Sequence, residues 1–307
     1  MASVALAVAG YLAFALWGQW GQVMASIARL SWADVAIVLS LSLLNYGLRF
    51  LRWHRYLNRL GHAVPWRTDL AVYLAGFAFT TTPGKAGEAV RSLFLRRHAV
   101  PYPHSLAVLL AERVGDLLAV AALAALGLSH RGGIRTGLLA VGVCLLIGLW
   151  TLRWLGRQHA WLERLHGRWA QLARGLIETI RHSGTLFTPS LLFGGVLLGL
   201  VAWAAEGVGF HYLLALFGHD PGWLAAISIY ALSMLAGALS FLPGGLGGAE
   251  LTMVTLLVMS GSSNPAAVTV TLLIRLATLW FAVAIGLVSL RTAVSGYNHA
   301  PLPDTRA

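Results

Sequence analysis

Among 307 residues there is one cysteine, Cys144, one lysine, Lys85, and only eleven acidic side chains. A lone cysteine excludes an internal disulfide, a cysteine-based zinc site and an iron–sulfur cluster, so no redox chemistry is expected. Charge is scarce in general: 11% of residues are charged against 58% hydrophobic, and the mean hydropathy is +0.73. Such a composition lies outside soluble domains and indicates an integral membrane protein. No long polar stretch marks a separate soluble domain, so residues 1–307 are expected to form one membrane domain. The net charge of +11 comes from arginines in short segments beside apolar runs. Cytoplasmic flanks of membrane helices have this pattern, and no nucleic-acid partner is expected. The eleven histidines are scattered, mostly near arginines, and none stands at metal-ligand spacing from a carboxylate. Packing or surface roles are expected for them, with no metal. "GKAGE" lacks the spacing of a nucleotide P-loop, and no cofactor is expected.

Apolar runs of spanning length occur at about 4–20, 33–52, 104–128, 133–153, 190–217 and 265–290. The first lacks the basic start of a signal peptide and reads as a retained span. Two further regions, about 68–98 and 223–261, are interrupted midway by "TPGKAGE" and "LPGGLGGAE". Proline removes a backbone donor and glycine weakens a helix, so each interruption should split its helix into two legs. Irregular backbone at membrane depth is tolerated only inside the protein or beside a water-filled cavity. Each region is therefore a kinked single crossing or a re-entrant hairpin.

The arginines favour hairpins. With two hairpins one face receives fifteen: Arg52, Arg55, Arg59, Arg67, Arg91, Arg96, Arg97, Arg153, Arg157, Arg164, Arg168, Arg174, Arg181, Arg291 and Arg306, against Arg29, Arg131 and Arg135 on the other. Single crossings divide the same residues about eight to ten, which is no bias. The hairpin topology puts both termini in the cytoplasm of a bacterial inner membrane, with 293–307 as a polar tail. Residues 154–185 place Trp161, Leu165, Trp169, Leu172 and Leu176 on one helical face opposite arginines. A basic amphipathic helix of this kind suits the membrane surface and attracts anionic headgroups.

The two interrupted regions repeat one another. Arg113 follows Glu88 by 25 residues, and Arg275 follows Glu250 by 25. Val64–Trp66 and Tyr73 have counterparts in Asp220–Trp223 and Tyr230, giving an offset of about 156–162 and halves of about 1–130 and 131–292. Three full crossings per half turn the second copy upside down. Inverted repeats of this kind expose a midplane site to alternate sides.

Lys85, Glu88, Glu112, Arg113, Asp116, Glu206, Glu250 and Arg275 all fall inside apolar segments. A charge at mid-bilayer costs about 2.5–3.5 kcal/mol on insertion scales, so these side chains should converge on an interior cavity. Arg113 and Arg275 either bind a lipid phosphate or neutralise Glu88 and Glu250. Asp116 lies within reach of Glu112 and Arg113 on one helix and fits a structural ion pair. After Pro83 and Gly84 a second helical leg should begin, offering an anion its unpaired N–H groups, reinforced by Lys85. Gly87 completes that tip, whereas the second has Pro243, Gly244, Gly245 and Gly247 and no lysine.

With these residues in view, the chain resembles the lysylphosphatidylglycerol synthase transmembrane-region family, the flippase-like membrane domain of the multiple peptide resistance factor and its stand-alone relatives. The resemblance rests on "TPGKAGEAVRSLFL" (Thr82–Leu95), "ERVGDLLAV" (Glu112–Val120), "LPGGLGGAE" (Leu242–Glu250) and "LLIRLATLW" (Leu272–Trp280). It implies an all-α polytopic fold with re-entrant elements and lipid translocation as the activity. No synthase domain is expected in this sequence, so the resemblance implies the lipids of stand-alone relatives: polyprenyl-phosphate sugars, hopanoid-type lipids and phospholipids. A membrane-embedded polyprenyl-phosphate glycosyltransferase and a non-catalytic partner of a lipid-synthesising enzyme are the rival readings.

Overall fold

The computed structural model describes residues 30–82, 87–127, 168–240 and 242–299 and a few isolated positions beyond these ranges. The expected spans at 4–20 and 133–153, Cys144, the first part of the amphipathic stretch, most of the polar tail and the break residues Pro83, Gly84 and Lys85 lie outside the described residues.

Among the described residues all regular structure is helical. Helix α1 (Trp32–Arg59) starts at a capping box: Ser31 Oγ accepts from Asp34 N–H at 3.2 Å, and the Asp34 carboxylate accepts from Ser31 N–H at 2.8 Å. Helix α2 (Trp66–Ala75) tightens into a 3₁₀ turn at Gly76–Phe79 before the break, and beyond the break lies the short α3 (Val90–Leu95). Then come α4 (Tyr102–Gly127), α5 (Arg168–Leu186) and α6 (Pro189–Leu216), the last opening with proline in its first turn, where no N–H is needed. Helix α7 (Trp223–Leu239) is interrupted by the Pro243–Gly245 turn, after which α8 (Gly248–Met259) resumes. Helix α9 (Asn264–Arg275) passes through a π turn, Leu276–Trp280, into α10 (Phe281–His299).

Three described stretches are long and apolar enough to cross a membrane: Trp32–Arg59, Pro189–Leu216 and the continuous Asn264–Ser295. The protein is a multi-pass helical membrane protein. Phe193, Leu197 and Val201 on α6 and Val288 on α10 are exposed, as a lipid-facing surface requires.

Lipid tails are as apolar as leucine, so helices in a membrane associate through close packing and interior polar contacts. Small residues provide the closeness here. Helix α1 packs along α6, where Gly195 sits under Tyr56 and Gly199 against Ala119 and Arg52. Gly286 of α10 lies on the turn at Phe77 and Ala78, and a Cβ there would come within 2.2 Å of Ala78 N. One apolar core gathers Phe210, Leu214, Met253 and Ile274, and a second gathers Phe50, Trp53, Tyr73 and Leu95.

Two arginines depart from the expected pattern. Arg52 and Arg91, assigned to the cytoplasmic flank by the charge count, are buried side chains of the interior. Removing both leaves thirteen arginines against three, so the bias that favours hairpins does not depend on them.

Candidate functional site

The first broken region organises a dense ionic cluster. Four guanidiniums, Arg49, Arg52, Arg91 and Arg113, meet three carboxylates, Glu88, Glu112 and Asp116. Helix α1 supplies Arg49 and Arg52, three residues apart and on one face. Arg52 Nη2 lies 2.5 Å from Asp116 Oδ1, and Arg49 Nη2 lies 3.1 Å from Glu112 Oε1 and 3.2 Å from Asp116 Oδ2. Helix α4 carries Glu112, Arg113 and Asp116, and the turn after the break carries Glu88.

Arg113 and Glu88 stand 3.6 Å apart, which realises the first 25-residue pair expected from the sequence. The same Arg113 Nη2 lies 2.9 Å from Glu112 Oε1 and 3.4 Å from Asp116 Oδ2. Arg91 ties the cluster to the backbone, donating through Nε to the Tyr73 carbonyl at 3.1 Å and through Nη1 to Glu112 at 3.2 Å. Its guanidinium stacks over the Tyr73 ring at 4.1 Å. Gly76 makes that position possible, since a Cβ there would stand 2.2 Å from Arg91 Nε. Gly87 plays a similar part at the break: its N–H donates to Thr82 Oγ1 at 2.7 Å, and a Cβ would press on Phe79 and Thr82.

The second broken region holds a sparser arrangement. Arg275 Nε donates to Glu250 Oε1 at 2.6 Å and Nη2 to the Gly244 carbonyl at 2.9 Å, which is the second 25-residue pair. Glu250 Oε2 accepts from Gly247 N–H at 2.7 Å, so one carboxylate caps α8 and holds the arginine. Gly244, Gly245 and Gly247 have φ of 65°, 69° and 87°, a left-handed region that favours glycine. The Tyr230 hydroxyl donates to Glu206 at 2.7 Å, much as the Tyr73 hydroxyl donates to Glu112 at 3.0 Å.

Both arrangements open on one cavity of about 350 Å³. Arg49, Glu88, Arg113 and Asp116 line it from the first half, and Glu206, Tyr230, Gly244, Gly245 and Arg275 from the second. The breaks converge there: a Cβ on Gly244 would lie 3.6 Å from Thr81 Cα. Glu112 lies one layer behind, fully buried among the arginines. The Nε groups of Arg49 and Arg113 are buried without a hydrogen-bond acceptor among the described residues. Guanidiniums with donors to spare are suited to phosphate or carboxylate oxygens.

Of the residues expected to converge, Glu88, Glu112, Arg113, Asp116, Glu206, Glu250 and Arg275 are described and buried or half-buried in this interior. Pro243, Gly244, Gly245 and Gly247 form the second break. Arg49, Arg52 and Arg91 are additional members that the sequence reading did not single out. The signal for Arg49 and Arg52 lies in α1, where Ser42, Asn45, Arg49 and Arg52 recur at three- and four-residue steps as a buried polar stripe. No group of three metal-ligating side chains suited to an ion occurs among the described residues.

The family model described as the lysylphosphatidylglycerol synthase TM region matches residues 1–286. A UPF0104 membrane protein of Methanothermobacter thermautotrophicus is 27% identical, covering 92% of this chain and 90% of that protein. A UPF0104 membrane protein of Pyrococcus horikoshii is 22% identical over 88% of this chain and 90% of its own length. Glycosyltransferase AglD of Haloferax volcanii is 28% identical over 76% of this chain, and the match spans 45% of that protein. The chain belongs to the lysylphosphatidylglycerol synthase transmembrane-region family.

Proposed function

We propose that this protein is a lipid flippase or transporter that moves a phosphate-bearing lipid, anionic or polyprenyl-phosphate-linked, between membrane leaflets. The observation that carries this reading is a cavity lined by charges from both broken regions and the helices around them. Paired and spare guanidinium donors sit where a headgroup needs compensation for lost water. A phosphate engages Arg113 on one side and Arg275 on the other, while Glu88 and Glu250 take back whichever arginine is released. Lys85, adjacent in sequence to the first break, adds positive charge to that tip. Glu112, Asp116 and Glu206 hold the arginines and tyrosines that shape the passage.

The finer topology belongs to the same proposal: about six full crossings, two re-entrant hairpins at the breaks, and inverted halves of about 1–130 and 131–292. The parallel pairs Glu88–Arg113 and Glu250–Arg275 support the repeat. The arginine bias supports cytoplasmic termini. A bacterial inner membrane remains the expected setting, although the relatives compared above are archaeal. Purified protein in vesicles, assayed for leaflet exchange of phosphate-bearing lipids, tests the reading. Exchange that persists unchanged in the Lys85→Ala, Arg113→Ala double variant removes the site assignment.

The match to a protein named a glycosyltransferase favours one second reading, in which the cavity holds a polyprenyl-phosphate sugar for transfer. Sugar release or transfer by the purified chain, without movement of lipid between leaflets, supports that alternative. A third role, as the membrane partner of a lipid-synthesising enzyme, predicts exchange only when that enzyme is added.

A further inference from the structure

Three histidines from separate parts of the chain meet away from the cavity. His62 follows α1, His104 stands in the first turn of α4, and His182 lies near the end of α5. His62 Nε2 is 2.7 Å from His104 Nδ1, and His104 Nε2 is 3.0 Å from His182 Nε2. The outer rings are tilted against the central one by 58° and 54°, with centroids at 4.9 and 3.9 Å. All three are half-buried.

His104 presents opposite ring nitrogens to its two neighbours, so no single metal ion can use all three side chains. Proton counting gives the array another property. Each of its two N–H···N bonds holds one proton, and the outward Nδ1 atoms of His62 and His182 hold one each. The bonded array therefore carries at most four protons, and three neutral imidazoles already carry three. One added proton is accommodated at an outward nitrogen with both bonds kept. A second added proton puts two N–H groups face to face and breaks a bond.

We propose that His62, His104 and His182 form a proton-limited clasp that fastens α5 to α1 and α4 near neutral pH and parts once the array must accept its second added proton. Among the described residues the charged groups acting on the array are Glu178 and Arg181, both from α5. The Glu178 carboxylate favours the first proton and the Arg181 guanidinium opposes it. Burial, followed by the neighbouring imidazole, lowers the affinity of His62 and His182 for protons below the ordinary value. A depressed histidine pKa contributes stability that is complete above the ordinary value near 6.5 and declines as pH falls toward the lowered value. The clasp thus holds at neutral pH and opens with acidification. Its opening releases the part of α5 that carries Glu178 and Arg181.

Spin labels at Asn58→Cys on α1 and Leu176→Cys on α5, in a Cys144→Ser background, report the separation in phosphatidylcholine nanodiscs; both label sites are exposed. The short-distance population is expected to fall at least about twofold between about pH 8 and pH 5, a range that brackets histidine titration. Glutamine offers a donor and an acceptor without titrating, so the distances in His104→Gln and in His182→Gln are expected to be independent of pH. An unchanged native distribution overturns the clasp, as does the same opening in both glutamine variants. Stoichiometric zinc binding that holds the native protein closed at pH 5 also overturns it, in favour of a metal site.

Discussion

The two broken regions meet the same cavity with different chemistry. At a sequence separation of 162, that of Glu88 from Glu250 and of Arg113 from Arg275, Arg91 is matched by Met253, Glu112 by Ile274 and Asp116 by Thr278. At 157, the separation of Tyr73 and Tyr230, Arg49 corresponds to Glu206. The shared parts are the glutamate after the break and the arginine 25 residues later. Around them the first region has a densely charged interior and the second a more apolar one. The first half's cluster carries one more guanidinium than carboxylates, whereas Glu206 and Glu250 outnumber Arg275. On the cavity wall itself the charges balance, Arg49 and Arg113 against Glu88 and Asp116, and Arg275 against Glu206, and the glycines that let its edges approach lie chiefly at the second break.

This contrast orders the expected effects of substitution. Glu112→Ala removes the carboxylate that faces Arg49, Arg91 and Arg113, leaving buried guanidiniums under-compensated at a cost of ~3–5 kcal/mol. Thermal unfolding in detergent should show a larger drop than for Glu250→Ala, which faces one arginine; equal losses would erase the asymmetry. Next, Gly76→Ala sets a methyl against Arg91, an overpacking worth ~1–3 kcal/mol, and in an Arg91→Met background the same substitution should cost less than it does in the native chain.

Copying the second half into the first, Arg91→Met with Glu112→Ile, should cost less than the sum of the single changes. The coupling expected in such a double-mutant cycle is ~0.5–3 kcal/mol, and strict additivity would mean that the two side chains do not depend on one another. The smallest effect belongs to pH. Lowering it below about 6.5 should weaken the contact of α5 through the depressed His62 and His182. Hydrogen exchange in α5 should report this before the cavity region changes.

Much of this arrangement is legible in the sequence because intramembrane charge is rare enough to be informative. The Glu–Arg pairs at 25-residue spacing and the Pro-Gly breaks announced themselves against an apolar background. Arg52 and Arg91 were hidden by their neighbours: each lies beside further arginines that do suit an interface, so a charge count assigns them with the rest. Only the polar stripe of α1 separates Arg49 and Arg52 from Arg55 and Arg59. The histidine array has no linear signal, since its members come from three elements that packing alone brings together.

The central claim is that one cavity, served by both breaks, passes a lipid headgroup. Its most direct test is leaflet exchange of a phosphate-bearing lipid by purified protein in vesicles. The native chain is compared there with Arg113→Gln and with Ala238→Trp, which fills the cavity from an exposed position on its wall. The account predicts exchange well above protein-free vesicles for the native chain and a loss of most of it in both variants. Native exchange at the protein-free rate, or full exchange in both variants, would contradict it.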